Sequence, residues 1–176
     1  MSISGNKNHI TNNNIGVGVE AWDEFSTGRN KILDNYIADN DRGVYLHAFG
    51  CGHCQSSTVS MNIISNDKYG IYLASDTDKS ELYLNNISQN HIEKNEECGI
   101  YLNNTYHNSI FSNNLVKNKI NAYFKYCNNL TWNNNYWGRP RLLPYPIFGK
   151  TIFKNYEIPW INIDWHPALK PYDITI

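Results

Sequence analysis

Short units of alternating apolar and polar residues recur along this chain. Each unit contains a phrase made of an apolar residue, two mostly polar residues, Asn, any residue and a second apolar residue. Copies of this phrase begin at Ile10, Ile32, Val59, Ile87, Ile110 and, more faintly, Leu130. The steps between copies are about 20 to 28 residues long, which is typical of solenoid repeats.

A second phrase follows most copies of the first. It contains a glycine, an apolar residue, a tyrosine and a leucine, as in Gly43-Val44-Tyr45-Leu46, Gly70-Ile71-Tyr72-Leu73 and Gly99-Ile100-Tyr101-Leu102. The fourth copy reads Asn121-Ala122-Tyr123-Phe124. Gly and Asn tolerate positive φ best, so their exchange indicates a turn with that backbone conformation.

These units predict an all-β solenoid. Each reads as two or three short strands with period-2 alternation, and no segment has a helical period with a cap. One coil of this length cannot bury its apolar side chains alone, whereas stacked coils share a continuous core. We therefore predict a parallel β-helix of about five or six coils, with a ladder of amides at Asn13, Asn35, Asn62, Asn90, Asn113 and Asn133.

Charge and hydropathy exclude some partner classes. The net charge of −1 does not favour nucleic acid or an anionic membrane surface. No apolar run approaches the roughly 20 residues that a membrane-spanning helix needs. The first residues resemble the repeat rather than a signal peptide, since Ile3-Ser4-Gly5-Asn6 fits the first phrase. We expect the chain to begin inside a solenoid. Either the chain is a fragment, or a partner, such as a second copy or a neighbouring β-helix segment, covers the N-terminal edge.

The composition changes after residue 136. Residues 137–176 are rich in Pro, Trp and long apolar side chains, and proline cannot donate to a strand ladder. We predict two regions, with coils over residues 1–136 and a C-terminal capping segment over residues 137–176. A small docking element is the alternative for the second region.

The two phrases resemble the right-handed parallel β-helix repeats of the NosD-like, carbohydrate-binding and sugar-hydrolase (CASH) group, which has a pectate-lyase-like fold. The segments Asn135-Tyr136-Trp137-Gly138-Arg139-Pro140 and Asp164-Trp165-His166-Pro167 resemble the C-terminal part of such proteins in archaea. The resemblance implies an extracellular, periplasmic or cell-surface location and polysaccharide as the commonest ligand class. The group includes enzymes, copper-maturation proteins and surface proteins, so it does not fix an activity.

No catalytic constellation stands out in the sequence. Acidic residues are scattered, although Asp39 and Asp41 share one turn and Asp67 is expected to stack over Asn40. A Ca²⁺ site there and solvated turn carboxylates are both open. The sequence does not identify a carboxylate pair for glycoside hydrolysis. We assign no catalytic residue, and an enzyme, which would act on polysaccharide, is an open but unfavoured alternative.

The cysteines carry a second chemical signal. The loop Cys51-Gly52-His53-Cys54 is a Cys-x-x-Cys motif that encloses a histidine. Two thiolates and an imidazole suit Zn²⁺ or Cu⁺, so Cys51, His53 and Cys54 are candidate metal ligands. A local disulfide or inert thiols are the alternatives. Cys98 and Cys127 are expected to be buried and unpaired.

One tyrosine per coil is the most suggestive surface feature. Tyr45, Tyr72, Tyr101 and Tyr123 each lie between core residues, so alternation directs them outward, and stacking of coils predicts a file of rings with Glu20 in the first coil. The file fits a polysaccharide contact surface, a protein-contact surface or cross-strand stacking alone. Our leading hypothesis is a non-catalytic carbohydrate-binding module. The alternative is a structural or assembly protein with a rigid spacer.

Overall fold

The computed structural model describes residues 2–3, 7–77 and 79–176 of the 176-residue chain. These residues form strands and turns, and no helix occurs among them. The 21 strands make four sheets that share one core. The predicted all-β class is confirmed.

Each sheet collects one strand from successive coils. Sheet 1 contains Ser2–Ile3, Lys31–Leu33, Thr58–Ser60, Asn86–Ser88, Ser109–Phe111 and Thr131–Asn133. Sheet 2 contains His9–Thr11, Tyr36–Ala38, Ile63–Ser65, His91–Glu93 and Asn114–Val116. Sheet 3, called the long sheet below, contains Ile15–Trp22, Arg42–Phe49, Tyr69–Ser75, Cys98–Asn103, Ala122–Lys125, Tyr145–Phe153 and Tyr156–Asp164. Sheet 4 contains Ser26–Gly28, His53–Gln55 and Glu81–Tyr83.

The coils stack in parallel register and form a β-solenoid of about five turns. Equivalent residues of successive coils pair directly, as Ile37, Ile64, Ile92 and Leu115 do in sheet 2. All four of these side chains are fully buried. The parallel β-helix is therefore confirmed, with up to four short strands per turn where the sequence predicted two or three.

An amide ladder runs through one corner of the coils, but its last rung is not the one predicted. Its members hydrogen-bond from coil to coil and are Asn8, Asn35, Asn62, Asn90, Asn113 and Asn135. The prediction of Asn133 for the last rung was wrong because Trp132, rather than Leu130, pairs with Ile110. The sixth copy of the phrase therefore begins at Trp132.

A second ladder occupies the next corner and contains the residue that was predicted for the first. Asn13 donates through its backbone N–H and its Nδ2 to Asn40 Oδ1, at 2.9 and 3.2 Å. The ladder continues through Asp67, Asn95 and Asn118. The assignment of Asn13 to the first ladder was wrong because the phrase occurs at both corners of a coil.

In each turn of the first ladder, the residue just before the ladder amide adopts positive φ. Asp34, Met61 and Gln89 have φ of 57°, 54° and 55°, in the left-handed region. The glycines of the second phrase serve another purpose, because a Cβ at Gly70 would lie 2.7 Å from the Gly99 carbonyl oxygen of the next coil. Gly70 is therefore required for close approach of neighbouring coils, and the predicted positive φ at this position was wrong.

A β-hairpin continues the long sheet at the C-terminal end. Tyr145–Phe153 pairs in parallel with Ala122–Lys125 and antiparallel with Tyr156–Asp164. The buried Asp164 carboxylate accepts hydrogen bonds from the backbone N–H and Nδ2 of Asn135 and from Trp137 Nε1, at 2.9, 3.2 and 3.0 Å. Asp164 thus closes the first ladder. The division of the chain at residues 136 and 137 stays a prediction.

At the N-terminal end, Ser2–Ile3 pairs in parallel with Lys31–Leu33. The remainder of the predicted first phrase, residues 4–6, lies outside the described residues. The partner predicted for this edge stays a prediction.

Candidate ligand-contact face

The outer face of the long sheet brings the four predicted tyrosines together. The strand register aligns Tyr45 with Tyr72, Tyr72 with Tyr101, and Tyr101 with Tyr123. The residues on either side of each tyrosine belong to the buried core. We call this row the tyrosine file. Gly18, and not Glu20 as predicted, precedes Tyr45 in the register.

The rings of the tyrosine file stack on one another. The ring centroids of Tyr72 and Tyr101 are 4.8 Å apart at an interplanar angle of 24°, and those of Tyr101 and Tyr123 are 6.0 Å apart at 15°. Tyr45 and Tyr72 are tilted, at 5.7 Å and 52°. Stacking covers ring faces inside the file, so the file offers mainly ring edges and hydroxyl groups to a ligand.

Burial affects the hydroxyl groups of the file. Tyr45 is only 7% exposed, whereas the other three tyrosines are partly exposed. Burial raises the pKa of Tyr45 and of Tyr101 to about 12. At neutral pH the hydroxyl groups of these two residues carry their protons and can donate hydrogen bonds.

The tyrosine file ends in a groove at the C-terminal hairpin. The register of Phe124 with Gly149 places Phe148 next after Tyr123 in the row. A Cβ at Gly149 would overlap the Phe124 ring, so glycine here allows the hairpin to pack closely while Phe148 stays outside. The groove has a volume of about 640 Å³ and is lined by Tyr123, Phe148, Gly149, Lys150, Pro159, Trp160 and Ile161.

One aromatic side chain remains available in this groove. Phe148 is 61% exposed and lies on the same outer face as Tyr123. Trp160 pairs with Gly149, which faces the core side, so the Trp160 side chain projects from the opposite face of the hairpin. Among the described residues, no ring contact joins Tyr123 to Phe148. The groove volume falls within the range of roughly 300 to 1,000 Å³ typical of small-molecule sites. The repeats did not predict this groove, because it forms only when the antiparallel hairpin pairs with the last coil.

Cationic side chains flank the tyrosine file at both ends. The Arg42 guanidinium lies over the rings of Tyr45 and Tyr72, with Cζ 4.9 and 5.0 Å from the two centroids. At the groove, Lys125 and Lys150 both pair with Glu157, with Nζ–Oε distances of 3.3 and 2.5 Å. Two cations thus share one carboxylate there.

A buried histidine, His47, packs beside the tyrosine file. His47 Nε2 is 2.8 Å from Asp76 Oδ1, and the imidazole packs edge-on against Phe49 with 3.7 Å between centroids. Burial lowers the pKa of His47, and the Asp76 carboxylate opposes that shift. The side chain therefore forms a neutral, packed support for Tyr45, whose ring centroid is 5.1 Å away.

The structure does not assemble the predicted metal site in the Cys-x-x-Cys loop. Cys54 is fully buried in the core, whereas Cys51 is exposed in the preceding turn. His53 Nδ1 lies 2.9 Å from Glu81 Oε2, on the opposite side of its strand from Cys54. Both cysteines are free thiols, so the alternative of a local disulfide is absent from this pair.

The remaining cysteines are packing residues, as expected. Cys98 and Cys127 are buried free thiols, and their Sγ atoms lie 3.1 Å from the carbonyl oxygens of Ile100 and Lys125. Burial raises the pKa of Cys54 and of Cys98 to about 12. Such thiols remain protonated at neutral pH and are poor metal ligands.

At the candidate Ca²⁺ site, Asp67 stacks over Asn40 as predicted, but the nearby carboxylates are not grouped as metal ligands. Asp67 does stack over Asn40, whose backbone N–H and Nδ2 both donate to Asp67 Oδ1, at 2.8 and 2.9 Å. This carboxyl is fully buried in the second ladder, while Asp39 and Asp41 are exposed in the turn. Across the described residues, no group of three His, Cys, Asp or Glu side chains is placed to hold a metal ion.

Comparison with protein families decides the relationship that the repeats suggested. The model of a family described as "Periplasmic copper-binding protein (NosD)" matches residues 48–142, more than half of the 176-residue chain. The chain belongs to the NosD family. Comparisons with curated proteins and with solved structures give no match.

Membership of the NosD family agrees with the predicted extracytoplasmic location, since the family is described as periplasmic. The described part of the chain contains no helix that is long and apolar enough to span a membrane.

Copper, the metal named for the NosD family, does not fit the donors among the described residues. Soft thiolate and thioether groups are the ligands that Cu⁺ prefers. All four cysteines are described, and three of them are buried. Met61 is partly exposed, in a turn of the corner between sheets 1 and 2. We therefore derive no copper site from these residues.

Proposed function

We propose that this member of the NosD family is an extracytoplasmic carbohydrate-binding module without a catalytic role. Its contact surface is the outer face of the long sheet, where the tyrosine file leads into the groove beside Phe148. The coil spacing supports this assignment, because strands about 4.8 Å apart repeat at close to the length of one sugar residue in an extended chain.

The observation that carries the proposal is the exposed Phe148 ring at the end of the file. Phe148 lines a groove with Tyr123 and is 61% exposed. Sugar rings pack their C–H faces against aromatic rings, and an exposed aromatic platform in a groove is suited to that contact. Along the file, hydroxyl groups and ring edges would contact the next sugars of the same chain.

Removal of the middle of the file should abolish polysaccharide binding. We expect affinity electrophoresis through a panel of soluble polysaccharides to show retardation of the wild-type protein by at least one polymer. The variant Tyr72→Ala/Tyr101→Ala should lose that retardation because two successive contact positions disappear. Circular dichroism at the same temperature establishes that the variant remains folded.

A matched control exists on another face of the same solenoid. Tyr83 and Tyr106 stack at 5.4 Å with an interplanar angle of 7°, outside the long sheet. The variant Tyr83→Ala/Tyr106→Ala removes an equivalent stacked pair and should retain full retardation. Equal loss in both double variants would mean that the substitutions act on stability, and the file would then carry no binding function.

A structural or assembly role is the second candidate, and the hairpin supports it. Phe153, Tyr156 and Trp165 are exposed on the same C-terminal part of the molecule, and large exposed apolar side chains mark contact surfaces. Analytical ultracentrifugation over a range of concentrations separates the two candidates. Concentration-dependent oligomers disrupted by Phe153→Ser/Tyr156→Ser would support assembly, whereas oligomers unaffected by these substitutions, or a monomer at every concentration, would contradict a contact role of the hairpin.

A copper-handling role makes a distinct prediction. If the buried thiols are inert, the reduced protein should retain less than one equivalent of copper after incubation with Cu⁺ and desalting. Elemental analysis of the wild-type protein and of Cys51→Ser should then agree. Retention of one equivalent that is lost in Cys51→Ser or His53→Ala would show that the Cys-x-x-Cys loop binds copper after rearrangement.

A further inference from the structure

The charges beside the tyrosine file specify a ligand class more narrowly than carbohydrate. We infer that the long sheet binds an acidic polysaccharide, whose carboxylate or sulfate groups are held by Arg42 at one end of the file and by Lys150 at the other. This inference rests on the proposed function and adds to it the charge and the minimum length of the ligand.

Arg42 is the first of the two cationic anchors. Its Nε is buried and has no hydrogen-bond partner, and within the described part of the chain no carboxylate pairs with its guanidinium. A guanidinium held against two aromatic rings and left without an anion suits a carboxylate or sulfate, which can accept two parallel hydrogen bonds from it. A bound acidic ligand could therefore supply the anion that pairs with Arg42.

Two carboxylates lie near this end of the file, and each accepts a hydrogen bond from another side chain. Asp76 accepts from His47 at 2.8 Å, and Glu20 accepts from Trp22 Nε1 at 3.2 Å. Both donors are neutral, so the two acids keep their charge, but among the described residues neither forms an ion pair with Arg42.

Lys150 is the second anchor, and it lines the groove itself. Lys125 and Lys150 share the single carboxylate of Glu157, which also accepts a hydrogen bond from the Tyr126 hydroxyl. Two ammonium groups against one carboxylate leave a net positive charge beside Phe148. An acidic sugar that packs on that ring would place its charged group within reach of Lys150.

The distance between the anchors sets the ligand length. Four coil steps separate Tyr45 from Phe148 along the file, and at about 4.8 Å a step they span about 19 Å. A ligand with one sugar per coil needs about five residues to reach both anchors. Affinity should therefore rise steeply with oligomer length, because the second contact becomes intramolecular.

A single-stranded nucleic acid is the other extended polyanion, and the ring geometry disfavours it. Bases bind proteins by stacking on free aromatic faces. The near-parallel rings of Tyr72, Tyr101 and Tyr123 cover one another inside the file. Edges and hydroxyl groups suit a ligand rich in hydroxyl groups better than one built of flat bases.

The test uses the full chain and oligosaccharides of defined length from polygalacturonate, alginate and chondroitin sulfate, measured by isothermal titration calorimetry. Neutral counterparts are the carboxyl-reduced forms of the two uronates and desulfated, carboxyl-reduced chondroitin, and single-stranded DNA of equal charge is included. Arg42→Gln and Lys150→Gln should each weaken binding of one acidic class about tenfold or more, since each removes a charge-assisted contact. The control Lys117→Gln removes an exposed charge from a turn outside the face and should change nothing.

The outcomes separate this inference from the proposed function. Binding of neutral and acidic oligomers with equal affinity, lost in Tyr72→Ala/Tyr101→Ala but unchanged in Arg42→Gln and Lys150→Gln, would overturn the acidic specificity and leave the carbohydrate proposal standing. Binding of DNA as tight as that of the acidic oligomers would overturn the assignment to polysaccharide. Absence of binding to every probe would overturn both.

Discussion

Replacing Asn90 with alanine should lower the free energy of unfolding by roughly 4 kcal/mol, because each buried polar group left without a partner costs about 1 to 3 kcal/mol. Asn90 Nδ2 donates to the carbonyl oxygens of Val59 and Ser88 and to Asn113 Oδ1, at 2.9, 3.0 and 3.0 Å. Its Oδ1 accepts from the backbone N–H and Nδ2 of Asn62, at 3.1 and 3.0 Å.

The effect should be large relative to the total stability, since a domain of this kind is stabilised by roughly 5 to 15 kcal/mol. Urea denaturation followed by circular dichroism measures it. The control Asn128→Ala removes an exposed asparagine and should change the free energy of unfolding by less than about 0.5 kcal/mol. If Asn90→Ala proved as mild as its control, the ladder would not stabilise the solenoid.

Asp67 should make the stability of the solenoid fall as the pH rises through neutrality. Its carboxyl is fully buried, Oδ2 has no hydrogen-bond partner, and burial raises its pKa to about 7 against the hydrogen bonds from Asn40. The folded-state pKa lies above the unfolded value near 3.8. The stability from the protonated form is therefore complete below the unfolded pKa and is lost as the pH rises through about 7.

Substitution of this residue by asparagine should remove the pH dependence. At the equivalent position of the preceding coil, Asn40 Nδ2 donates to the Ala38 carbonyl oxygen at 2.8 Å and to Asp67 Oδ1 at 2.9 Å. An amide at position 67 can repeat that arrangement toward Asn95. We expect the wild-type protein to lose about 2 to 3 kcal/mol between pH 5 and pH 8, and Asp67→Asn to lose much less.

Thermal or urea unfolding at the two pH values measures this difference. Asp41→Asn is the matched control, because it removes an exposed carboxylate from the adjacent turn and should keep the wild-type pH dependence. Parallel pH profiles of Asp67→Asn and the wild-type protein would mean that Asp67 is ionised in the folded protein at neutral pH.

Much of the fold could be predicted because the same pattern of apolar residues and Asn recurs in each coil. The spacing of Ile32, Val59 and Ile87 led directly to stacked strands, and the structure pairs all three in register. The same repetition caused the errors at Asn13 and Asn133. An apolar residue followed three positions later by Asn occurs at two corners of a coil, so the pattern alone does not determine the corner to which a given copy belongs.

The candidate site was only partly predictable. Alternation placed Tyr72 and Tyr101 outside the core, because period-2 patterning depends on the backbone alone. It gave no information on ring orientation, which determines that the faces cover each other. The groove beside Phe148 depends on the hairpin pairing of Gly149 with Trp160, a contact that a parallel repeat does not suggest.

The Cys-x-x-Cys motif shows a further limit of the sequence. Cys51 and Cys54 have the spacing of a metal site, yet the strand His53–Gln55 turns Cys54 into the core and leaves Cys51 in solvent. Local spacing predicts chemistry only when the backbone directs both side chains to the same side.

The most direct test of the account is a calorimetric titration of the best-bound polysaccharide into the wild-type protein, Phe148→Ala and Phe153→Ala. Both phenylalanines are more than half exposed, but only Phe148 lines the groove at the end of the tyrosine file. We expect Phe148→Ala to weaken binding about tenfold, as the loss of one aromatic platform would, and Phe153→Ala to bind as the wild-type protein does. Equal affinities of all three proteins would contradict the assignment of this face as the carbohydrate-binding surface.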